Sequence, residues 1–249
     1  MKTIVVLPAY NASKTLEQTV NSIPVGCCED IVLVDDLSVD STVCIAKALN
    51  LTVICHEKNK GYGANQKTCY RIALEMGADI VVMLHPDNQY DPRLVPFLSG
   101  LIKEGVCDIV FACRIRTRKE TLRGGMPFYK YLANRFLTII ENLTFGLNLG
   151  EYHTGYRAFS KKSLETIDFD RCSDDFVFDQ HIVAQAAICE LTVGDIPVPT
   201  KYFKESSSIS LIRSFKYGFE VLWLCFRYVL HKWKILPFKM LQSKKNFIS

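Results

Sequence analysis

Ala78-Asp79-Ile80-Val81-Val82-Met83-Leu84-His85-Pro86-Asp87-Asn88-Gln89-Tyr90-Asp91-Pro92-Arg93 changes character in the middle. Residues 80–84 are apolar without a break, and a polar cluster follows at once. An uninterrupted apolar run of this length reads as a strand buried on both faces, the habit of a parallel sheet covered by helices. In an open α/β sheet, ligands gather at the carboxyl ends of such strands. His85, Asp87 and Gln89 are spaced by two, so an extended backbone would turn all three the same way. They offer an imidazole, a carboxylate and an amide oxygen, a set suited to a hard or borderline divalent cation. A polar turn leading into a helix near Pro92 accounts for the same residues without a ligand.

The same cadence continues on both sides. Residues 3–8 read as a first buried strand, followed by the loop Ala9-Tyr10-Asn11-Ala12-Ser13, in which Asn11 or Ser13 is placed to cap a helix reaching about Ser22. A second strand, residues 30–34, ends in Asp35-Asp36-Leu37-Ser38-Val39-Asp40-Ser41-Thr42. A helix to Leu49 and a third strand at 51–55 follow. The glycine-containing loop Asn59-Lys60-Gly61-Tyr62-Gly63-Ala64-Asn65 then opens a helix over 64–76. Beyond the quoted stretch come a helix over 92–103 and a strand over 108–113. Strands alternating with helices in this way predict a parallel, helix-covered sheet. The first, second and fourth strands end in polar loops, which puts Tyr10, Asp36 and Asp87 at one edge of it.

Several common functions fall away. Gly61-Tyr62-Gly63 follows the third strand rather than the first, and Gln66 stands at the third glycine position of a dinucleotide fingerprint. No Gly-Lys-Ser phosphate loop is present. The chain has 249 residues, 49% of them apolar and 22% charged, which is globular composition. A net charge of +4 is too mild to imply nucleic acid. Met1-Lys2-Thr3 leads straight into a strand-like segment, so no N-terminal signal is expected. Ten cysteines lack any C-x-x-C spacing; those at 44, 55, 69, 107, 113, 189 and 225 lie in apolar segments and read as buried reduced thiols of a cytosolic protein.

After Cys113 the chain turns basic. Arg114-Ile115-Arg116-Thr117-Arg118-Lys119-Glu120-Thr121-Leu122-Arg123-Gly124-Gly125 reads as a mobile loop, either a solvated surface or an anion clamp. Residues 127–143 form an amphipathic helix on the pattern of Phe128, Tyr131, Leu132, Phe136 and Ile139. His153-Thr154-Gly155-Tyr156-Arg157 enters a strand, and Asp179 lies near the start of a helix running to about Cys189, where a first-turn acid also suits the helix dipole. A last strand spans 193–199. From 211 on, aromatic and basic residues alternate, among them Phe215, Phe219, Trp223, Phe226 and Trp233 with Arg213, Lys216, Arg227 and Lys232. The longest uncharged run there is far below the ~20 residues a spanning helix needs. A helix lying in an anionic membrane interface fits this mixture, as does one packing on the domain or on a second copy of the chain.

Four of these stretches together resemble a family 2 glycosyltransferase, in particular its polyprenyl-phosphate sugar transferase branch. They are Leu7-Pro8-Ala9-Tyr10-Asn11, the segment Val34 to Thr42, Asn59 to Ala64, and His85-Pro86-Asp87-Asn88-Gln89. The resemblance covers about residues 1–208. It implies the GT-A fold: an α/β, Rossmann-like, mostly parallel sheet with helices on both faces, with C-terminal amphipathic helices here. A nucleotide-sugar half (1–114) would run into an acceptor half (115–210), followed by a basic-aromatic tail (211–249).

It also implies the site. Pro8, Tyr10, Val34 and Asp36 would hold the nucleotide, Tyr10 by stacking on the base and Asp36 by accepting from base or ribose. Ala12 stands where relatives often carry Glu. The family's Asp-x-Asp metal motif appears as His85, Asp87 and Gln89, with His85 in place of the first Asp, for Mn2+ or Mg2+. Arg114 and Lys201 match phosphate-contacting positions, while Asp87 and Asp179 would lie at the reacting centre. The implied activity is inverting transfer of a sugar from a nucleotide-diphosphate sugar to a polyprenyl phosphate (dolichyl or undecaprenyl), metal-dependent, by a protein peripheral to the cytoplasmic membrane face. A saccharide hydroxyl acceptor in glycan or cell-surface polysaccharide synthesis, which would need Asp179 as a base, is the alternative. A non-catalytic nucleotide-sugar-binding protein is a third reading.

Overall fold

In the computed structural model, which describes residues 1–199 and 211–242 (side chains of 211 and 212 excepted), the alternation seen in the sequence becomes one seven-stranded sheet. The chain runs β1 (Thr3–Ala9), α1 (Leu16–Asn21), β2 (Asp30–Asp35), α2 (Thr42–Ala48), β3 (Thr52–Cys55), α3 (Tyr62–Glu75) and β4 (Ile80–Met83). A 3₁₀ turn at Pro92–Leu94 leads into α4 (Val95–Lys103) and β5 (Ile109–Cys113). Then come α5 (Arg118–Arg123), α6 (Phe128–Phe145), β6 (Arg157–Ser160), α7 (Lys161–Thr166), α8 (Phe178–Ile188), β7 (Val193–Pro197) and α9 (Leu211–Lys232).

The sheet order is β3-β2-β1-β4-β6-β5-β7. β1 to β4 are mutually parallel, β6 is antiparallel to both β4 and β5, and β7 is parallel to β5. The chain leaves β1 towards β2 and β3 and returns on its other side as β4, so a crevice opens above β1 at the carboxyl ends. Ala9 pairs with Asp35 and Val6 with Met83, which sets the loops after β1, β2 and β4 side by side. The sheet is continuous across Arg114.

Alternation within each strand divides the core into two layers. Val5, Leu7, Leu33, Val82 and Leu84 face α1, α2 and α4, while Ile4, Val6, Val34, Val81 and Met83 face α3, α6, α8 and α9. Every residue of β1 and β4 is buried, and apolar side chains hidden to this degree contribute about 1.5–3 kcal/mol each.

Local departures from the sequence expectation have identifiable causes. α1 begins only at Leu16, because Asn11 and Ser13 serve the neighbouring loop instead of a helix end. Asn11 takes a left-handed conformation (φ 52°), accepts from the Val39 N–H at its side-chain oxygen and donates its own N–H to Ser38 Oγ. The Ser13 N–H donates to Asp40. The basic run after Cys113 is not an open loop: Thr117 caps α5 by accepting the Glu120 N–H at 3.2 Å, and its hydroxyl donates to the Glu120 carboxylate. Cys44 and Cys55 are exposed rather than buried, since they lie on the outer side of α2 and on the edge strand β3. α7, capped by Ser160, had no sequence signal that we recognised.

The tail helix α9 buries Val221, Leu224, Cys225 and Tyr228 against the domain, where it packs on α6 and α8. Phe215, Phe219, Leu222, Trp223 and Phe226 remain exposed on its other side. α6 adds an exposed stripe of Phe128, Leu132, Phe136, Ile139 and Leu143, spaced three or four residues apart. No helix among the described residues is long and apolar enough to cross a membrane.

Candidate active site

At the end of β1, Tyr10 presents an exposed ring above the crevice. Pro8 and Val34 are paired neighbours within the sheet, and both are buried. They shape the wall beneath Tyr10, and the Val34 carbonyl already accepts from Asn65 Nδ2 at 3.1 Å. Asp36 is also buried. Its carboxylate accepts from His56 Nδ1 at 2.8 Å and from the N–H groups of Lys60 (2.8 Å) and Gly61 (3.0 Å). Asp36 therefore ties the end of β2 to the glycine loop, with His56 as a partner that sequence reading missed. Gly61 is required there: its φ is 95°, and a Cβ would come within 2.9 Å of the Asp174 carbonyl oxygen. Asp40, in the loop between β2 and α2, loses some hydration, but hydrogen bonds from Thr42 and Ser13 outweigh this and hold its carboxyl down at about 2.

The stretch after β4 does not stay extended. Asn88 adopts φ 57° because its side chain is held by Thr19 (2.9 Å) and Gln18 (2.7 Å) on α1. Asp87 Oδ1 accepts the N–H of Gln89 at 3.0 Å, closing a local Asx turn. His85, Asp87 and Gln89 accordingly do not alternate onto one side as the spacing-by-two argument required. His85 turns inward, Gln89 is buried, and no group of three or more His, Cys, Asp or Glu among the described residues stands close enough to hold a metal. What the segment offers a cation is the Asp87 carboxylate with one imidazole and one amide nearby. That donor set suits an ion of the Mg2+ type, which commonly binds through one or two carboxylates and fills its remaining positions with phosphate oxygens and water.

The inward turn of His85 exposes a constellation the sequence did not announce. Tyr62, the first residue of α3, donates its hydroxyl to Asp179 Oδ2 at 2.8 Å and lies 3.2 Å from His85 Nε2. Its ring stacks on His85 (centroids 5.5 Å apart, planes at 11°) and on Phe176. Burial, reinforced by the Asp179 charge, pushes the Tyr62 hydroxyl well above its ordinary value, so it remains a donor. Burial lowers the His85 imidazole, against the opposing pull of Asp87 and Asp179. Gly155 makes room for that ring: a Cβ there would lie 2.6 Å from His85 Cδ2 and closer still to Nε2.

Asp179 receives two further donors, Gln66 Nε2 at 3.3 Å and the Arg157 guanidinium at 3.5 Å. Arg157 is wholly buried. It donates to the carbonyls of Thr154 (2.7 Å), Tyr152 (2.9 Å) and Asp179 (3.0 Å), and sits 4.3 Å over the Phe111 ring. One side chain thus joins the 152–155 turn to the start of α8. Tyr62, Gln66 and Arg157 escaped the sequence reading because the first was noticed only for its flanking glycines and the others lie far from Asp179 along the chain. Both carboxylate oxygens of Asp179 are thus already engaged by donors.

Arg114 is directed to Glu151. Its backbone N–H donates to Oε2 at 2.7 Å, Nε donates to Oε1 at 2.9 Å, and a terminal nitrogen reaches both Glu151 and the His153 carbonyl. Burial of Glu151 favours the neutral acid, yet the Arg114 charge and hydrogen bonds override this and lower its pKa. His153 in turn holds Tyr217 of α9 (2.9 Å) and Gln180 of α8 (2.8 Å), so the tail helix is wired to the same turn. Lys201 lies outside the described residues.

The sequence profile of Glycosyl transferase family 2 matches residues 4–168 of this chain. The chain belongs to that family. It is therefore a glycosyltransferase, and the α/β sheet with its crevice at β1 is the family's scaffold. The UDP-N-acetylglucosamine–dolichyl-phosphate N-acetylglucosaminyltransferase of Methanococcus voltae is 28% identical over 88% of this chain and 94% of its own length. The undecaprenyl-phosphate mannosyltransferase of Micrococcus luteus is 24% identical over 80% of this chain and 83% of its own. Among solved structures, glucosyl-3-phosphoglycerate synthase of Mycobacterium tuberculosis, in complex with Mn2+, UDP-glucose and glycerol 3-phosphate, superposes with a TM-score of 0.70. It is 19% identical and covers 91% of this chain and 79% of the other, a likeness of fold.

Proposed function

We propose that this glycosyltransferase moves a sugar from a nucleotide-diphosphate sugar to a polyprenyl phosphate at the cytoplasmic face of a membrane, with inversion at the anomeric carbon. The relatives named for dolichyl-phosphate and undecaprenyl-phosphate transfer support the acceptor class. The observation within the chain that carries the reading is the condition of Asp179. Tyr62, Gln66 and Arg157 already occupy its two oxygens, so an attacking hydroxyl would have to displace one of them to reach it. A lipid phosphate is already an anion and attacks without a base, so Asp179 then has only to keep the acceptor side of the crevice in shape. A saccharide hydroxyl acceptor would need that carboxylate released from its donors.

On the donor side, the exposed Tyr10 ring suits stacking on the base, over the wall made by Pro8 and Val34. Asp36 acts by ordering the glycine loop beneath the diphosphate, with a remaining lone pair for a base or ribose donor. Asp87 would hold a divalent cation, Mn2+ or Mg2+, with His85 and Gln89 beside it. When bound, such an ion neutralises charge developing on the leaving diphosphate. Arg114 adds positive potential from its Glu151 anchor, and Lys201 belongs to the same proposal on its motif position alone.

The exposed aromatic stripes of α6 and α9 carry the membrane reading. Basic residues flank them, Lys232, Lys234 and Lys239 among them, which suits an anionic lipid surface. The tail thereby acts as the docking element and the sheet domain as the catalytic one.

Transfer assayed with polyprenyl phosphate and with saccharide acceptors tests the proposal. Polyprenyl phosphate should be glycosylated, Asp179→Asn should retain measurable transfer, and Asp87→Ala should lose about 100-fold or more, the scale of removing one electrostatic contact to a developing charge. Transfer to hydroxyl acceptors alone, abolished in Asp179→Asn, would overturn the lipid-phosphate reading.

A further inference from the structure

We propose that Tyr62 is a positioning residue that fixes His85 as the Nε2–H tautomer, so that Nδ1 presents an unprotonated electron pair where an aspartate of the motif would present an oxygen. The hydroxyl of Tyr62 has one proton and two neighbours able to take it. Asp179 Oδ2 is anionic and 2.8 Å away; His85 Nε2 is 3.2 Å away. A charge-assisted hydrogen bond at the shorter distance wins the proton. The remaining contact, phenol oxygen to Nε2, is attractive only if Nε2 itself carries a hydrogen and donates to the oxygen lone pair. In the neutral ring that leaves Nδ1 bare, and Nδ1 makes no hydrogen bond among the described residues.

The ring has little freedom to escape this arrangement. The Tyr62 and His85 planes are nearly parallel, 11° apart, and Gly155 packs so close to Cδ2 and Nε2 that no Cβ would fit. Turning the imidazole over would set a carbon against the phenol oxygen and forfeit the hydrogen bond. The order of donation is then His85 Nε2–H to Tyr62 O–H to Asp179. The same logic governs metal-bound histidines generally, whose second nitrogen is held by a partner that sets tautomer and orientation. Here the partner is a tyrosine anchored on the acceptor-side carboxylate, so the donor-side and acceptor-side groups share one hydrogen-bonded chain. That His85 Nδ1 meets the cation rests on the donor reading proposed above; the tautomer does not.

The tautomer is read directly by long-range proton–nitrogen correlation on histidine-labelled protein at pH 8, without metal or nucleotide. The chain has five histidines, and His85→Gln identifies the relevant signal by its loss. The expected His85 pattern is a protonated Nε2 and a bare Nδ1; a protonated Nδ1 overturns the proposal. In Tyr62→Phe the pattern should become mixed or reverse, while the signals of His56, His153, His181 and His231 stay in place and so certify the fold. An unchanged His85 pattern in a folded Tyr62→Phe also overturns it. Adding Mg2+ with UDP should then move the Nδ1 resonance in the wild type, with the apparent metal affinity about 10–100-fold weaker in Tyr62→Phe. Binding of UDP and of GDP, monitored in parallel, separates the failures. Failure to bind either UDP or GDP refutes the donor reading, whereas nucleotide and Mg2+ binding with a motionless Nδ1 refutes the role assigned to His85.

Discussion

Arg157→Lys keeps a positive charge in the core and should nevertheless cost about 3 kcal/mol. The guanidinium spreads three nitrogens over the carbonyls of Thr154, Tyr152 and Asp179 at 2.7–3.0 Å, and none of the side chain is exposed. An ammonium is a single point and can reach about one of those carbonyls with good geometry. Two of the carbonyls then lose a hydrogen bond from a charged donor, worth about 1.5–3 kcal/mol each. With a urea dependence of about 2–3 kcal/mol/M for a chain of this size, the unfolding midpoint should fall by about 1–1.5 M. Arg71→Lys is the matched comparison. Arg71 makes an ion pair with Asp170 on a half-exposed surface, and loss of its fork geometry there should shift stability by less than about 1 kcal/mol. Because Arg157 also anchors the backbone at Asp179, kcat/KM should drop in Arg157→Lys even where the protein remains folded. A midpoint for Arg157→Lys as close to wild type as that of Arg71→Lys would refute the idea that the fork secures the acceptor side.

Gly155→Ala places a methyl group against His85, so it should destabilise the protein by about 1–3 kcal/mol and break the Tyr62–His85 contact; a variant as stable and active as wild type would show that the ring has room to move. His181 provides a pH test. Its Nδ1 accepts the Ser173 N–H, and burial, with Arg227 and Lys67 adding, brings the imidazole down to about 4. The unfolded chain therefore takes up a proton near pH 6.5 that the folded chain refuses, so stability is full above that pH and falls towards pH 4. Between pH 7.5 and 5 the wild type should lose about 2 kcal/mol more than His181→Gln in urea titrations; parallel losses would contradict this. Co-sedimentation with anionic vesicles should fall about 10-fold in Phe136→Glu on α6 and in Phe219→Glu on α9, because each removes a large exposed apolar ring from one of the two stripes. Equal binding by both variants would sink the membrane reading, and a wild type that instead self-associates through this face would make it a contact between copies of the chain.

The apolar-rich runs at 3–8 and 80–84 were enough, unaided, to announce strands buried on both faces, because burial on two sides leaves no place for polar alternation. With the intervening amphipathic segments they implied a parallel, helix-covered sheet and put Tyr10, Asp36 and Asp87 at its carboxyl edge. The local motifs also carried the family, since each is a loop whose backbone and polar side chains act within a few residues. Interactions between distant parts of the chain were not legible. The partners of Asp36, His56 and the glycine loop, and the partner of Arg114, Glu151, 37 residues away, left no mark in the local sequence. His85, Asp87 and Gln89 would point the same way on an extended chain, but Asn88 is pulled into a left-handed turn by α1. The chain from His85 through Tyr62 to Asp179 spans 117 residues between its last two members. Such a contact depends on how α3, β4 and α8 close around one point, and a hydrogen bond of that kind leaves no period or spacing in the sequence from which to read it.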